Sequence, residues 1–558
     1  MPVVMEVPVP SQDHNDGVRH GWRFWGIIVS LSVTSILSAL DVSAISTAMP
    51  SMIKDLGTNY AYIWIANAYF LTMTAFQPLY GQNANIFGRR TLTLLAVFFF
   101  AAGSAICGPA QNIGMLIAGR AIQGIGGGGV NVMIDMIIGD LVPVRERPKY
   151  LGFVFMVYTV AVALGPVIGG LLAERVTWRW VFYLNLPVSG AAFLCLLLVL
   201  RVRYTKDTMR NSIKRVDFAG NALLIASVVA ILLALTWGGV LYPWAAWRTL
   251  VPLILGLLGL IGFIAIQSTK WIPEPTMPLR LFSNRTSLAA FGLTFLHSTM
   301  LYWTSYFLPI YFQAVLEASP TTSGVDLLPT IITAMPFAMG AGVGVTKLGR
   351  YRPFHFVGYG LVAIGYGLFS LLDENTSTAY WGGIQCLNAA GIGILTTTTL
   401  PAVQAPLDET DQAIATATWA FVRSFGGVWG VAIPAAVFNT RVNQLEGSLE
   451  DANLRDLLSN GGAYGLASGN FISTLGSDSV VQGEVKNIYV RSLQLCWQVG
   501  IGFALLGFVL SFVVKEIQMR TELETEFGLE KKPKHRETGE NNVSPSDDTD
   551  LAAAMKSE

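Results

Sequence analysis

Fourteen long apolar stretches follow one another through this 558-residue chain, and they constrain its fold more than any other feature. An α-helix rises about 1.5 Å per residue, so about 20 apolar residues cross a hydrocarbon core about 30 Å thick. The repetition predicts an all-α integral membrane protein with fourteen transmembrane helices, and it makes transport across the membrane the leading hypothesis. The stretches cover residues 24–49, 61–81, 91–110, 113–138, 148–173, 178–201, 217–237, 248–270, 286–315, 324–346, 353–372, 379–403, 411–438 and 493–515.

The composition fits this class and argues against several others. Hydrophobic residues make up 52% of the chain, charged residues make up 13%, and the formal net charge is zero, so no nucleic-acid partner is expected. The five histidines are scattered and the four cysteines lie inside apolar stretches, so neither a metal site nor an enzyme is expected. The glycine run at 124–129 matches a dinucleotide-binding fingerprint only formally, because it lies within a spanning stretch. We expect these glycines to let a neighbouring helix approach closely.

The loops between the stretches carry an asymmetric charge. Seventeen lysines and arginines lie in the short loops of one side, and three lie in the short loops of the other. Loops rich in positive charge remain in the cytoplasm, so both termini are predicted to be cytoplasmic. A candidate glycosylation sequon begins at Asn375, on a short outer loop close to the bilayer.

A weak internal repeat suggests how the helices are grouped. The sequence Gly-Arg-Arg at 88–90 has a counterpart in Gly-Arg-Tyr-Arg at 349–352, and the glycine clusters of the fifth and thirteenth stretches also correspond. We therefore predict two six-helix bundles with two inserted linker helices between them. The predicted segments are a cytoplasmic N-terminal tail (1–23), a first bundle (24–201), a linker (202–285), a second bundle (286–519) with a long outer loop (439–492), and a disordered cytoplasmic tail (520–558).

Ionisable residues inside the spanning stretches are the sharpest functional signal, because a charge near the bilayer centre costs at least about 2.5 kcal/mol. Asp41 of the first stretch and Arg120 of the fourth have opposite charge and similar predicted depth, so we expect them to interact directly or through water. The pair could simply lock two helices, or Asp41 could take up a proton and switch the contact. Asp135 is either a residue at the membrane interface or a further member of a proton path. Arg423 has no obvious carboxylate partner, so it could meet substrate or backbone carbonyls.

Small and aromatic residues provide further candidates. Gly165, Pro166, Gly169 and Gly170 are expected to break the fifth stretch and to form either a hinge or a simple packing face. Deep aromatic side chains are expected either to pack in the core or to line an apolar cavity. The substrate-cavity candidates are Tyr69, Gln123, Trp303, Tyr306 and Arg423.

Several motifs together resemble the major facilitator superfamily, and in particular its fourteen-span drug:proton antiporter group. The resemblance covers residues 22–515. The motif sequences are similar to those of fungal members that accompany toxin or secondary-metabolite pathways. The motifs are Leu40-Asp-Val-Ser-Ala-Ile-Ser-Thr-Ala-Met-Pro50, Gly81-Gln-Asn-Ala-Asn-Ile-Phe-Gly-Arg-Arg90, Leu116-Ile-Ala-Gly-Arg-Ala-Ile-Gln-Gly124, Gly165-Pro-Val-Ile-Gly-Gly170 and Trp178-Arg-Trp-Val-Phe-Tyr-Leu-Asn-Leu-Pro187.

The resemblance implies specific roles for these positions. Arg120 and Asp41 would take part in proton transfer, and Gly165 and Pro166 would belong to the antiport helix. An inner gate between the bundles would be formed by Gly81, Asn85, Gly88, Arg89 and Arg90. The family usually carries aspartate where this chain has Asn85, and an amide cannot supply that charge.

The sequence thus predicts a proton-driven exporter of a small, largely apolar organic compound such as a toxin, secondary metabolite or drug. Its partners would be that compound, protons and the lipid bilayer, and we expect a monomer without a cofactor. We expect it in the plasma membrane, although a vacuolar or vesicle membrane would give the same orientation. Uptake of iron-chelating siderophores is the alternative transport reaction, and ligand sensing through the C-terminal tail is a remote one.

Overall fold

The computed structural model describes residues 21–56, 63–200, 209–238, 242–269, 272, 274–459, 461–467, 469–475 and 479–521. The predicted N-terminal tail up to residue 20 and the tail beyond residue 521 lie outside them. Within the described residues the regular structure is helical, apart from one isolated bridge between Gly238 and Tyr242. Fourteen long helices correspond one to one to the predicted stretches. They are α1 Trp22–Leu56, α2 Ile63–Phe87, α3 Arg89–Cys107, α4 Ile113–Leu141, α5 Arg147–Arg175, α6 Arg179–Val199, α7 Phe218–Trp237, α8 Trp247–Gln267, α9 Arg285–Ile310, α10 Leu328–Leu348, α11 Arg352–Phe369, α12 Thr378–Gln404, α13 Gln412–Leu445 and α14 Ser479–Val513.

Most of the long helices have the length and composition that a bilayer requires. Eleven segments of the described residues are long and apolar enough to cross a membrane. The three long helices outside that set, α2, α9 and α11, have 25, 26 and 18 residues, and α9 continues into one π-helical turn, Tyr311–Val315. The all-α, multi-pass prediction is therefore confirmed.

Local sequence fixes where several helices begin and end. Asn112 caps α4 by accepting a hydrogen bond from the Met115 amide at 2.8 Å. Gly88 separates α2 from α3 with φ 87°, and Gly349 ends α10 with φ 68°. A residue with a Cβ rarely adopts such angles, so both members of the repeated loop sequence need glycine at this position.

The first six helices pack into one bundle. Helix α1 contacts α5 and α6, while α4 contacts α2 and α3. A methyl group at Gly124 would overlap the backbone of α2 at Tyr69, and one at Gly126 would overlap the backbone of α3 at Phe100. The glycine run of α4 therefore serves close helix packing, as the sequence predicts.

The last six helices form a second bundle with related contacts. Helix α12 contacts α10 and α11, and α9 contacts α12, α13 and α14. A methyl group at Gly430 would overlap the carbonyl of Thr299 in α9, so small residues again permit a close crossing. The inserted helices α7 and α8 pack on each other, and α7 also touches α2 and α13.

The outer segment between α13 and α14 is shorter than predicted. Helix α13 continues to Leu445 and α14 begins at Ser479, so the loop does not extend over 439–492. In the described part of this segment lie one 3-10 helix, Glu446–Ser448, and three short α-helices, Ala452–Leu458, Gly462–Gly465 and Gly469–Thr474. The first turns of α14 project beyond the apolar stretch, because an α-helix can continue into water when its polar side chains are solvated.

Candidate functional site

The two bundles touch at the end that carries the basic loops. Helix α5 packs on α10, and α2 packs on α13. A methyl group at Gly81 of α2 would overlap Ala417 of α13, and one at Gly342 of α10 would overlap the carbonyl of Pro148 in α5. Space at these crossings is therefore just sufficient for glycine.

Hydrogen bonds reinforce this contact between the bundles. The Arg145 guanidinium donates to the carbonyls of Thr346 and Lys347 at 2.9 and 3.0 Å. The buried Arg147 donates to the side-chain oxygens of Gln404 and Gln412 at 2.9 and 2.8 Å. The sequence analysis did not single out these arginines, although their place in a short basic loop is the signal that could have found them.

The predicted gate residues divide between two roles. Gly81 lies at the interface between the bundles, whereas Arg89 donates to Asn85 at 2.6 Å and to Asp140 at 2.7 Å, all within the first bundle. Arg90 donates to the carbonyl of Leu197 in α6 at 2.5 Å. The acidic partner of Arg89 is thus Asp140, and Asn85 accepts from the same guanidinium without adding charge.

Asp41 and Arg120 meet in the middle of the first bundle. Nη1 of Arg120 lies 2.5 Å from Oδ2 of Asp41, and the two side chains are 1% and 0% exposed. The other carboxylate oxygen accepts hydrogen bonds from Gln123 at 2.7 Å and from Asn185 at 2.8 Å. The sequence analysis expected the ion pair but did not select Asn185, which was visible as an amide in an apolar helix.

The guanidinium of Arg120 is equally well surrounded. Its Nε donates to the carbonyl of Ile65 at 2.9 Å, and its Nη1 also donates to Gln123 at 2.6 Å. Its central carbon lies 4.4 Å from the ring centre of Tyr69, whose hydroxyl pairs with Ser38 at 3.0 Å. Tyr69 and Gln123, predicted at the substrate cavity, are instead fully buried members of this polar cluster.

The glycine motif of α5 lies directly beside this cluster. A methyl group at Gly165 would overlap Ser43 of α1, two residues beyond Asp41. Gly169 is buried, Gly170 is half-buried, and α5 is one continuous helix through Pro166. The motif therefore does not break the fifth stretch as predicted, because a proline can be accommodated in a membrane helix when neighbouring groups satisfy the freed carbonyl.

A second ion pair joins the two bundles. Nη2 of Arg423 in α13 lies 3.8 Å from Oδ2 of Asp135 in α4. The guanidinium carbon also lies 4.4 Å from the ring centre of Trp419. The sequence analysis found no partner for Arg423, because the two residues lie on different bundles and their distance depends on how the bundles pack.

Arg423 has an acidic residue and aromatic residues of both bundles as neighbours, and we call this group the central cluster: Asp135, Tyr158, Tyr302, Tyr306 and Arg423. Tyr302 and Tyr306 stack with ring centres 6.3 Å apart, and Tyr158 of the first bundle lies near Tyr302 and Arg423. Tyr306 is 40% exposed, so it can contact a ligand.

Two other candidates lie away from the central cluster. Trp303 is fully buried and packs on Tyr366 and Phe503, so it belongs to the core of the second bundle and not to a cavity wall. Asn375 is exposed on the turn between α11 and α12. Within the described residues no group of three or more His, Cys, Asp and Glu side chains could hold a metal ion.

Two helical bundles that are joined at one end and carry buried charges are typical of a multi-pass membrane transporter. The chain belongs to the Major Facilitator Superfamily, whose family profile matches residues 31–431. It is 47% identical over 529 residues to the MFS-type efflux pump LUC4 of a Fusarium species, covering 95% of this chain and 94% of that protein. It is also 47% identical over 525 residues to the acurin A biosynthesis cluster MFS-type transporter of Aspergillus aculeatus, covering 94% of each.

Solved structures agree on the fold. The human organic anion transporter MFSD10 superposes with a TM-score of 0.55 and 13% sequence identity, covering 88% of this chain and 100% of that chain. At this identity the match reports the arrangement of helices alone.

Proposed function

We propose that this transporter exports a small, largely apolar organic compound, such as a toxin, secondary metabolite or drug, in exchange for protons. Its relatives named as an efflux pump and as a biosynthesis-cluster transporter support export. The observation that carries the proton exchange is the buried contact between Asp41 and Arg120.

Protonation of Asp41 would change the energy of this site strongly. The carboxylate accepts three hydrogen bonds and balances the charge of Arg120, and both side chains are almost fully buried. Neutralising one member of a buried pair leaves the other charge uncompensated, which costs about 3–5 kcal/mol. One charge moved through 100 mV provides about 2.3 kcal/mol, so a proton entering here could drive a conformational change.

The packing of α1 and α5 supports a route from Asp41 to the other bundle. Gly165 of α5 touches Ser43, one helical half-turn from Asp41, and the first half of α5 packs on α10. A rearrangement around Asp41 would therefore act on a helix that also holds the second bundle. A coupled movement of this kind would serve the rocking of two bundles in alternating access.

The contact at the basic-loop end supports a cytoplasmic seal. The positive-inside rule assigns this end to the cytoplasm. The conformation described here would then be closed to the cytoplasm, and separating α5 from α10 and α2 from α13 would admit the compound. We propose the plasma membrane as the site of export.

Export from cells tests this proposal. Cells that express the wild type, Asp41→Asn or Asp217→Asn are loaded with a panel of hydrophobic toxins, with and without a protonophore. Asp217 is the matched control, because it is a buried aspartate that caps α7 and an asparagine can keep that cap. The proposal is supported if the protonophore abolishes export and if Asp41→Asn, but not Asp217→Asn, also abolishes it. Export that survives both the protonophore and Asp41→Asn contradicts proton exchange.

A further inference from the structure

Arg423 lies about a third of the way along α13 and belongs to the central cluster, to which both bundles contribute residues. Its side chain is 28% exposed, whereas Asp135 opposite is 10% exposed. Because Arg423 starts about 16 Å from the beginning of α13, at about 1.5 Å per residue, its head group lies deep in the membrane. A charge at this depth is expensive unless it has a function or a firm partner.

The partner of Arg423 is not firm. The distance of 3.8 Å to Asp135 exceeds the range of about 2.7–2.9 Å that charged N–H···O bonds prefer. Oδ2 of Asp135 is buried and accepts no hydrogen bond from the described residues. Arg423 and Asp135 do not satisfy each other's hydrogen-bonding groups. The planar guanidinium of Arg423 can therefore donate hydrogen bonds to another carboxylate.

The surroundings of the guanidinium favour an acid with an apolar body. The ring centre of Trp419 lies 4.4 Å from the guanidinium carbon of Arg423, and the stacked rings of Tyr302 and Tyr306 belong to the same cluster. Aromatic faces bind apolar and unsaturated groups, while the guanidinium binds a planar carboxylate through two parallel hydrogen bonds.

We propose that Arg423 binds a carboxylate group of the exported compound and that Asp135 competes with this group for Arg423. The inference rests on the proposed function and names the chemical class of its substrate. In the present conformation the bundles are joined and Asp135 faces Arg423. When the basic-loop end opens, Asp135 moves away with the first bundle and Arg423 can bind a cytoplasmic carboxylate. Closing brings Asp135 back, and its charge displaces the bound acid.

Binding to the purified full-length protein tests this proposal without requiring transport. The probes are dansyl-labelled aminoundecanoic acid and its methyl ester, which share an apolar body and differ in charge. Wild-type protein should bind the acid more tightly than the ester. Arg423→Gln should weaken binding of the acid by about 10-fold or more and leave the ester unchanged, because it removes a charged two-bond contact. Arg423→Lys keeps the charge without the fork and should lie between them.

Two further variants control the result. Arg441→Gln removes an arginine from the outer part of the same helix and should bind both probes like the wild type. Asp135→Asn removes the competing charge and should tighten binding of the acid while the ester stays unchanged. Unchanged ester binding shows that each variant is folded.

Specific outcomes would overturn the proposal. Wild-type protein that binds acid and ester equally, or binds neither, contradicts it, as does an Arg423→Gln variant that retains the preference for the acid. If the wild type binds the acid through Arg423 but its export does not depend on the proton gradient, only the proposed proton exchange is contradicted.

Discussion

The two ion pairs of the membrane interior use the same residue types and differ in how completely they are satisfied. Asp41 and Arg120 lie within one bundle, 2.5 Å apart, and share Gln123 as a common partner. Asp135 and Arg423 lie on different bundles, 3.8 Å apart, and leave a buried oxygen without a hydrogen bond. A saturated pair resists any change except a change of its own charge. A loose pair can exchange its partner at low cost, so the first suits a proton and the second suits a ligand.

Removing the arginine from each pair should give the largest difference between the two pairs, measured as loss of unfolding free energy. Arg120→Gln leaves the buried Asp41 without its counter-charge and should lower the free energy of unfolding by about 3–5 kcal/mol. Arg423→Gln should cost less, since Nη2 of Arg423 lies 3.8 Å from Asp135 and its side chain is 28% exposed, so less attraction is lost. Denaturant unfolding in detergent measures both. Equal losses would mean that the two pairs do not differ in the way proposed, and Asp41→Asn combined with Arg120→Gln should recover part of the larger loss.

The next largest effect is expected at the contact between α5 and α1, beside the pair of Asp41 and Arg120. Gly165→Ala places a methyl group against Ser43, so it should destabilise the protein by about 1–3 kcal/mol and slow export. Gly190→Ala is the matched control, because a methyl group at Gly190 meets no atom within 4 Å. Thermal unfolding and export are measured for both variants. If both behave alike, the close approach of α1 and α5 has no part in the mechanism.

The loose pair depends on the bundles being joined, and Gly81 tests that dependence. Gly81→Leu cannot fit against Ala417, so it should hold the basic-loop end open and lengthen the distance between spin labels at Lys149 and Lys347. The change in stability should stay within about 1–3 kcal/mol. Gly190→Leu provides the control on an open surface. Unchanged label distances would show that the contact between α2 and α13 does not control closure.

The smallest effect is expected at the position that departs from the family pattern. Asn85→Asp adds a carboxylate beside Arg89, which already binds Asp140 at 2.7 Å. The added attraction is offset by repulsion between the two acids, so stability should change by less than about 1 kcal/mol. Export rates and unfolding should match the wild type. A large gain would show that Asp140 does not satisfy Arg89 alone.

The sequence predicts the helices well because each bilayer crossing needs its own apolar run. It also pairs Asp41 with Arg120, because the two have opposite charge at the same depth. It misplaces the start of α14, since Ser479 begins a helix whose first turns are polar and carry no hydropathy signal. A helix boundary outside the apolar layer is set by the solvated turns and by the loop packing.

Contacts between bundles are harder to predict than contacts within them. Asp135 lies about 9 Å from the end of α4 and Arg423 about 16 Å from the start of α13, so depth alone does not pair them. Similarly, the sequence indicates only that Trp303 is an aromatic residue deep in the membrane. Its packing on Tyr366 in the structure identifies it as a core residue. Which side of a helix faces a neighbour depends on tertiary packing, which a single sequence does not specify.

The most direct test of the account is proton movement driven by substrate. The purified transporter is reconstituted in liposomes with a pH dye inside, and a gradient of an exported toxin is imposed at equal pH on both sides. The account predicts that toxin entering the liposomes drives protons out through the wild type, while Asp41→Asn exchanges labelled for unlabelled toxin without moving protons. Toxin transport by the wild type with no change of internal pH would contradict proton exchange at Asp41.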